Sequence, residues 1–432
     1  MANETRPPLS FDEWPTLTQP VVKKCLRSCC VKQLFTTKPT PKYKFEVTIP
    51  FHRLPLLVQV QAIHTMDPTD WINLAMTSKR NERVVKLARI KKTKRPFVEI
   101  GYRGGITFSS LNLELCLDIS HWETVGNKWK LMTKDNLKPW LNERNSMIMN
   151  AAILYQKMQN IFVFPDNLAI SICTDSYRGT IRELQSNQVM KNWEDLTIEG
   201  KKISSEDLKM IMDTATLDRT FDCRVEEMPL DFKHENAFNF FYQIYYDARW
   251  VKIEDLNGLR NLVYVYLHFN LFTQQQLKSF VNYWVDSEVD MFSRIQIMKS
   301  LNFDSFVDGL LGLHGSDPFL RFFFTLSKSS LNKRKNNLLI IFYDVEEHIL
   351  FLEAWDINKR YAPFVNEEVN KHCENIYKIL TLLHTKKTLE DLWKMADTEG
   401  KREWDEKINE SISELEAFNV FFVDGKATHD FI

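Results

Sequence analysis

From Leu168 to Leu313 one pattern recurs, and it constrains the fold more than any other feature of the chain. A short apolar run leads through polar residues into a helix that starts on charged or hydroxyl-bearing side chains. LAISIC (168–173) precedes GTIRELQSNQVM, DLTIEG (195–200) precedes SSEDLKMIMDTA, and FFYQIYY (240–246) precedes KIEDLNGL. LVYVYL (262–267) precedes TQQQLKSFVNYW, and SRIQIM (293–298) precedes FDSFVDGLLGL. Apolar runs of this length, alternating with helices, read as strands joined by crossover helices. The fold class is therefore α/β, with α+β as the alternative. The five strands should lie side by side in one sheet, with the helices lining one face.

Leu208, Leu256 and Leu277 occupy matching places at the helix starts, 48 and 21 residues apart. The larger gap holds two units of about 24 residues, within the ~20–29 of leucine-rich repeats. FDCRV (221–225) supplies the extra strand. The LxxLxLxxN signature is absent, so the array is an irregular one. Each unit buries its apolar face only by stacking on its neighbours, which leaves an extended surface.

Upstream, a compact helical unit covers 48–95. Leu54-Pro55 opens a helix carrying Leu56, Leu57, Val58, Val60, Ala62, Ile63 and Met66, apolar nearly all round. Such a helix is buried on more than one side. A unit this small buries too little to stand alone, so one side calls for a partner. Asp67 can cap a second helix, with Pro68 at its first position and Trp71, Leu74 and Ala75 on one face. Ser78 can cap a third helix, with Val84, Val85 and Leu87.

The remaining segments are plainer. Residues 1–47 read as a disordered tail. Cys25, Cys29 and Cys30 within it suit free thiols better than zinc, which needs four ligands. KKTKR (91–95) reads as a solvated helix end. SLNLELCLDI alternates like a half-buried strand, and the glycines of GYRGGI make a turn. In 314–432, NNLLIIFYDV and ILFLEAW read as two strands. Charged helices follow, with Ile376, Ile379, Leu380 and Leu383 at helical spacing.

The chain has 432 residues, 44% hydrophobic and 26% charged, with a net charge of −1. That balance gives no bulk attraction to nucleic acid or to an anionic membrane. The longest apolar run, LLIIFY, is far short of a membrane-spanning helix, and MANETRPPLS has no secretory apolar core. Seven cysteines, an odd number at irregular spacing, fit a reducing compartment, so an intracellular location in cytoplasm or nucleus is expected.

No HExxH, GxSxG, Walker A, kinase set or CxxC pair is present, so no enzymatic activity, cofactor or metal is expected. His121-Trp122 and His268 are scattered histidines of structural type. Glu206-Asp207 and Glu254-Asp255 sit at helix starts, where carboxylates favour the helix dipole.

The stretch IPFHRLPLLVQVQAIHTMDPTDWINLAMTSKRNERVVK resembles the F-box of the large nematode-expanded F-box family. The most specific pieces are Leu54-Pro55, Met66-Asp67-Pro68, Ile72-Asn73-Leu74 and Thr77-Ser78-Lys79-Arg80. EDLTIEGKKISSEDLKMIMD and ARWVKIEDLNGLRNLVYVYLHFNLFTQQQLKSFVNYW resemble the type 2 F-box-associated domain, with Trp250 and Trp284 at matching positions.

The resemblance implies a three-helix F-box over 48–95, a leucine-rich-repeat-like associated domain over 96–313 and a C-terminal extension over 314–432. It implies a substrate-recruiting adaptor of an SCF-type ubiquitin ligase, whose F-box docks on a Skp-type adaptor and through it on a cullin–RING ligase. The associated domain would hold an unidentified target protein. The adaptor-binding residues would be Leu54, Pro55, Val58, Ala62, Ile63 and Met66, with Trp71 and Leu74 at the margin. Positions 55, 58, 62 and 66 share one helix face. Gln59 stands where the family usually has an apolar residue, which bears on adaptor affinity. The alternative is a protein-interaction module without a ligase role, its F-box degenerate.

Overall fold

The computed structural model describes residues 51–88, 90–91, 97–100, 105–110, 113–118, 129–132, 134–163, 168–175, 180–316, 320–328, 334–356 and 367–429. The N-terminal tail with its three cysteines, His121-Trp122, Gly101 and Gly104, and residues 92–95 of the basic run lie outside the described residues.

A 3-10 turn at Phe51–Arg53 leads into α1 (Leu56–His64), α2 (Pro68–Thr77) and α3 (Lys79–Leu87). Pro55 occupies the position before α1, and its carbonyl accepts the first helical N–H groups, from Val58 and Gln59. Ser78 caps α3, its hydroxyl accepting from the Asn81 N–H at 3.2 Å. Asp67 departs from expectation: it precedes α2, but no side-chain hydrogen bond caps that helix. Pro68 at the first position pre-sets the helical φ without one.

The strand β1 (Ile90–Lys91) follows. The body is then built from β2 (Phe97–Ile100), β3 (Gly105–Ser110), β4 (Leu113–Asp118), β5 (Trp129–Met132), α4 (Lys134–Leu137) and α5 (Met147–Ile161). β6 (Phe162–Val163) pairs in parallel with β1 in a separate ribbon. The alternating segment follows as β7 (Leu168–Cys173), α6 (Thr180–Ser186), β8 (Trp193–Lys202), α7 (Ser205–Met212), β9 (Thr220–Glu227) and β10 (Tyr242–Asp247). It continues through α8 (Ile253–Asn257), β11 (Leu262–Phe269), α9 (Gln274–Asp286), β12 (Phe292–Met298) and α10 (Phe303–Val307).

β7 to β12 are neighbours in chain order and all parallel, with β2 parallel to β7 at one side. The five strands read from the sequence lie in this one sheet, and β9, the extra strand, sits between β8 and β10. Leu208, Leu256 and Leu277 are fully buried beneath it. An aromatic seam fills the layer between sheet and helices. Trp193 stacks on Phe240, Phe240 on Phe221, and Tyr245 meets Trp250 edge-on at 5.2 Å.

The sheet does not stop at residue 313. The described chain runs on through β13 (Leu313–Ser316), β14 (Leu320–Leu326), β15 (Asn336–Asp344), β16 (Ile349–Asp356), α11 (Glu367–Met395), α12 (Thr398–Ala417), β17 (Val420–Val423) and β18 (Lys426–His429). β12 pairs with β16 in antiparallel fashion, so among the described residues one 16-stranded mixed sheet spans both expected units. β15 and β16 are the two strands read from the sequence. β13 and β14 precede them, and β17 and β18 follow the charged helices. Ile376, Ile379, Leu380 and Leu383 of α11 pack on Phe324, Leu338 and Ile340 in a second core, whereas Phe323, Leu339 and Ile341, alternating with these, belong to the main core. Among the described residues no helix is long and apolar enough to cross a membrane.

Two arginines tie the later strands to the parallel run. Arg294 of β12 bonds Glu353 of β16 at 2.7 Å, with both side chains buried. Burial pushes the Glu353 carboxyl above its ordinary range and the Arg294 guanidinium below its own, in spite of their pairing. Arg334, before β15, lies 3.7 Å over the Trp284 ring and donates to the carbonyls of Trp284 and Ser287 at the end of α9. A cation there complements the helix dipole.

Glu353→Ala is expected to lower the free energy of unfolding by about 3–5 kcal/mol, because it leaves a buried guanidinium without its counter-charge. Replacing both partners by leucine should recover most of that loss in the same denaturant titration. A second prediction concerns Asp247. Burial alone would raise its carboxyl, but hydrogen bonds from Arg249 and from the Met228 and Arg249 N–H groups outweigh that and hold it below the ordinary range. Its contribution is therefore present above about pH 4 and lost as pH falls through the lowered folded value. Asp247→Asn should flatten that acid limb when stability is measured against pH.

Candidate docking surfaces

Two surfaces emerge from how the apolar residues are shared out. The first lies on α1. Leu56, Leu57 and Val58 are exposed, Leu57 at 71%, on a helix whose other side is packed. Ile63 is fully buried, so it supports the helix from within and cannot present itself to a partner without rearrangement. Leu54, Ala62, Met66, Trp71 and Leu74 are half-buried, and Pro55 is exposed. The exposed strip thus runs through Leu57 and Val58 toward Gln61 and His64, rotated away from the 55–58–62–66 face. Leu56 and Leu57, absent from the adaptor-binding residues expected from the sequence, are the missed members of this surface. A helix apolar nearly all round carries little periodic signal to say which side faces in.

Gln59 does not interrupt the strip. It is buried at the root of the helix, and its Nε2 donates to the Leu54 carbonyl at 2.7 Å, tying down the turn that enters α1. Trp71 anchors the far end: its indole N–H donates to the Ile63 carbonyl at 2.6 Å, and its ring meets Phe162 at 5.8 Å. The three helices are fastened to the body through α5, where Lys157 pairs with Glu82 at 2.9 Å and Lys86 donates to Asn160. Exposed Lys79, Arg80 and Arg83 make α3 basic beside the apolar strip.

The second surface is the face of the sheet turned away from α6–α10. Strand register places Asp222, Ile244, Tyr266, Gln296, Phe351, Phe342 and Phe322 in one row across neighbouring strands. Tyr242 stacks on Tyr264 at 4.1 Å, Tyr246 on His268 at 4.3 Å, and Phe342 on Phe351 at 4.0 Å. Many of these rings remain partly exposed because the helices α11 and α12 cover only the β13–β16 end of this face. Tyr264 donates to Gln296 at 2.8 Å, and Arg224 bonds Asp222 at 2.7 Å.

Burial pushes the Tyr266 phenol up to about 12, helped by Glu347 and two neighbouring tyrosines, and raises Tyr264 as well. Both stay protonated donors at neutral pH. Burial lowers His268, which is therefore neutral there. The face offers stacking area and fixed hydrogen-bond donors, the chemistry of binding. Glu206-Asp207 and Glu254-Asp255 lie in the first turns of α7 and α8, where Asp255 accepts from the Lys252 N–H. Among the described residues no group of three or more His, Cys, Asp or Glu is placed to hold a metal ion.

Trp71→Phe keeps an aromatic ring against Phe162 but deletes the bond to the Ile63 carbonyl. It is expected to cost about 1 kcal/mol, read as a shift of the denaturant midpoint. Proteolysis should then appear first within α1–α3, because that bond fastens α1 to α2.

No family model, curated protein or solved structure matches the chain.

Proposed function

We propose that the chain recruits substrates to an SCF-type ubiquitin ligase, with α1–α3 acting as an F-box that docks on a Skp-type adaptor. The body would then be a leucine-rich-repeat-like array whose aromatic face holds the target protein. The observation that carries this reading is the strip Leu56, Leu57 and Val58, exposed on a helical unit otherwise locked to α5. Three consecutive exposed apolar residues, at the start of a helix opened by Pro55, mark a surface that a partner completes. Basic α3 beside it favours an acidic partner surface.

The mechanism is proximity. Target lysine and ubiquitin thioester, held in one assembly, react as an effectively intramolecular pair, and the recruiting chain supplies no reacting group. Such a role belongs in the cytoplasm or nucleus, and it needs neither nucleic acid nor membrane.

The test is co-purification of the full chain with a Skp-type adaptor. Leu57→Asp/Val58→Asp places two charges in the strip and should weaken binding by well over tenfold, since each hot-spot residue carries roughly 2 kcal/mol or more and each 1.4 kcal/mol is about a factor of ten. Circular dichroism should be unchanged, because both side chains are exposed. Gln59→Leu should leave adaptor binding nearly unaltered, since that side chain faces inward. A wild-type chain that binds no Skp-type adaptor at micromolar concentration would leave the interaction module without a ligase role as the better account.

A further inference from the structure

Among the described residues, the outermost strand at one end of the sheet is β17, Val420-Phe421-Phe422-Val423, which pairs with β18 alone. The two are joined at Asp424-Gly425, both with positive φ (49° and 77°), as the tight primed hairpin turns require. Edge strands are normally guarded by lysine, proline or a bulge, because their free N–H and C=O groups template further pairing. β17 contains no charged residue and no proline. Phe421, Phe422 and Val423 are 40%, 38% and 50% exposed. By contrast β5, at the opposite edge, carries Lys130.

We infer that β17 is an interface with a second copy of this chain, paired edge to edge in antiparallel fashion about a twofold axis through Phe422. The occupant follows from self-complementarity. A twofold perpendicular to the sheet keeps each residue on its own face, so the register must centre on a residue. Centring on Phe422 sets Phe422 against its own copy and Phe421 against Val423 of the second copy. All three exposed apolar side chains are then covered, and no two like charges on the strand meet.

Lys386 lies 4.9 Å over the Phe422 ring and bonds Glu390, so its charge is balanced within its own chain. A centre on Phe421 instead faces Asn419 with Val423, which wastes apolar area. The contact is short, so the association is weak and concentration-dependent. It does not depend on the ligase reading.

The experiment is sedimentation equilibrium of the full chain from low micromolar to a few hundred micromolar. The wild type should rise from 51.1 kDa toward twice that mass. Phe422→Lys supplies the missing guard and should weaken association at least tenfold, with an unchanged circular dichroism spectrum. As a second measurement, Phe422→Cys should form a covalent dimer on mild oxidation, because the twofold sets that position opposite itself, its Cβ atoms about 4.5–5.5 Å apart, a small shift from the ~3.5–4.5 Å of a disulfide. Leu271→Cys, at a site 68% exposed in the loop between β11 and α9, is the control. A wild type that stays monomeric throughout, a Phe422→Lys variant that dimerises like the wild type, or equal cross-linking of the two cysteine variants would each overturn the inference.

Discussion

The pair Arg294–Glu353 sits where the sheet changes character, at the junction between the parallel run ending in β12 and the antiparallel strands beginning with β16. The two residues are direct partners in the strand register. A slip of one residue would turn every side chain of β16 to the opposite face. It would also strand two buried charges, each costing several kcal/mol without its partner. The pair therefore fixes which face of β14–β16 meets α10 and which meets α11. The second core, the helical hairpin and the edge strand β17 all follow from that choice. Arg334 acts alongside it, closing the end of α9 from the other side of the seam.

The two candidate surfaces are what the cores leave over. Along the parallel run, alternate residues face the helices and are consumed by the aromatic seam around Trp193, Tyr245 and Trp250. Their neighbours, Tyr242, Ile244 and Tyr266, and Phe351 of the adjoining β16, face the other way and are covered only where α11 lies. On α1 the same division occurs around a helix. Ile63 and Gln59 are taken inward by α2 and the entry turn, which turns Leu57 and Val58 outward. The helical unit is held to the body through α5, and the aromatic face by the continuous sheet.

The sequence by itself determined the features that rest on local chemistry and short periods. The strands β7, β8, β10, β11 and β12, the buried leucines 208, 256 and 277, and the three N-terminal helices were legible because each repeats within one turn or one pleat. The Ser78 cap was legible for the same reason. Asp67 was not, since Pro68 starts α2 without help from its neighbour's side chain. β14 was not read: RFFFTL is packed on both faces, as LLIIFY of β15 is, so only an unbroken apolar run and no alternation marks it. β17 and β18 are only four residues each, too short for a period to show.

Only the tertiary structure decided which side of α1 stays exposed, because a helix apolar nearly all round gives its orientation little preference until α2 and the entry turn bury one flank. Only the tertiary structure joined the chain after residue 313 to the array before it. The residues responsible, Arg294 with Glu353 and Arg334 with Trp284, are 59 and 50 positions apart. A charge destined for burial looks in sequence like any surface charge, since what separates the two is a partner that folding alone brings within reach.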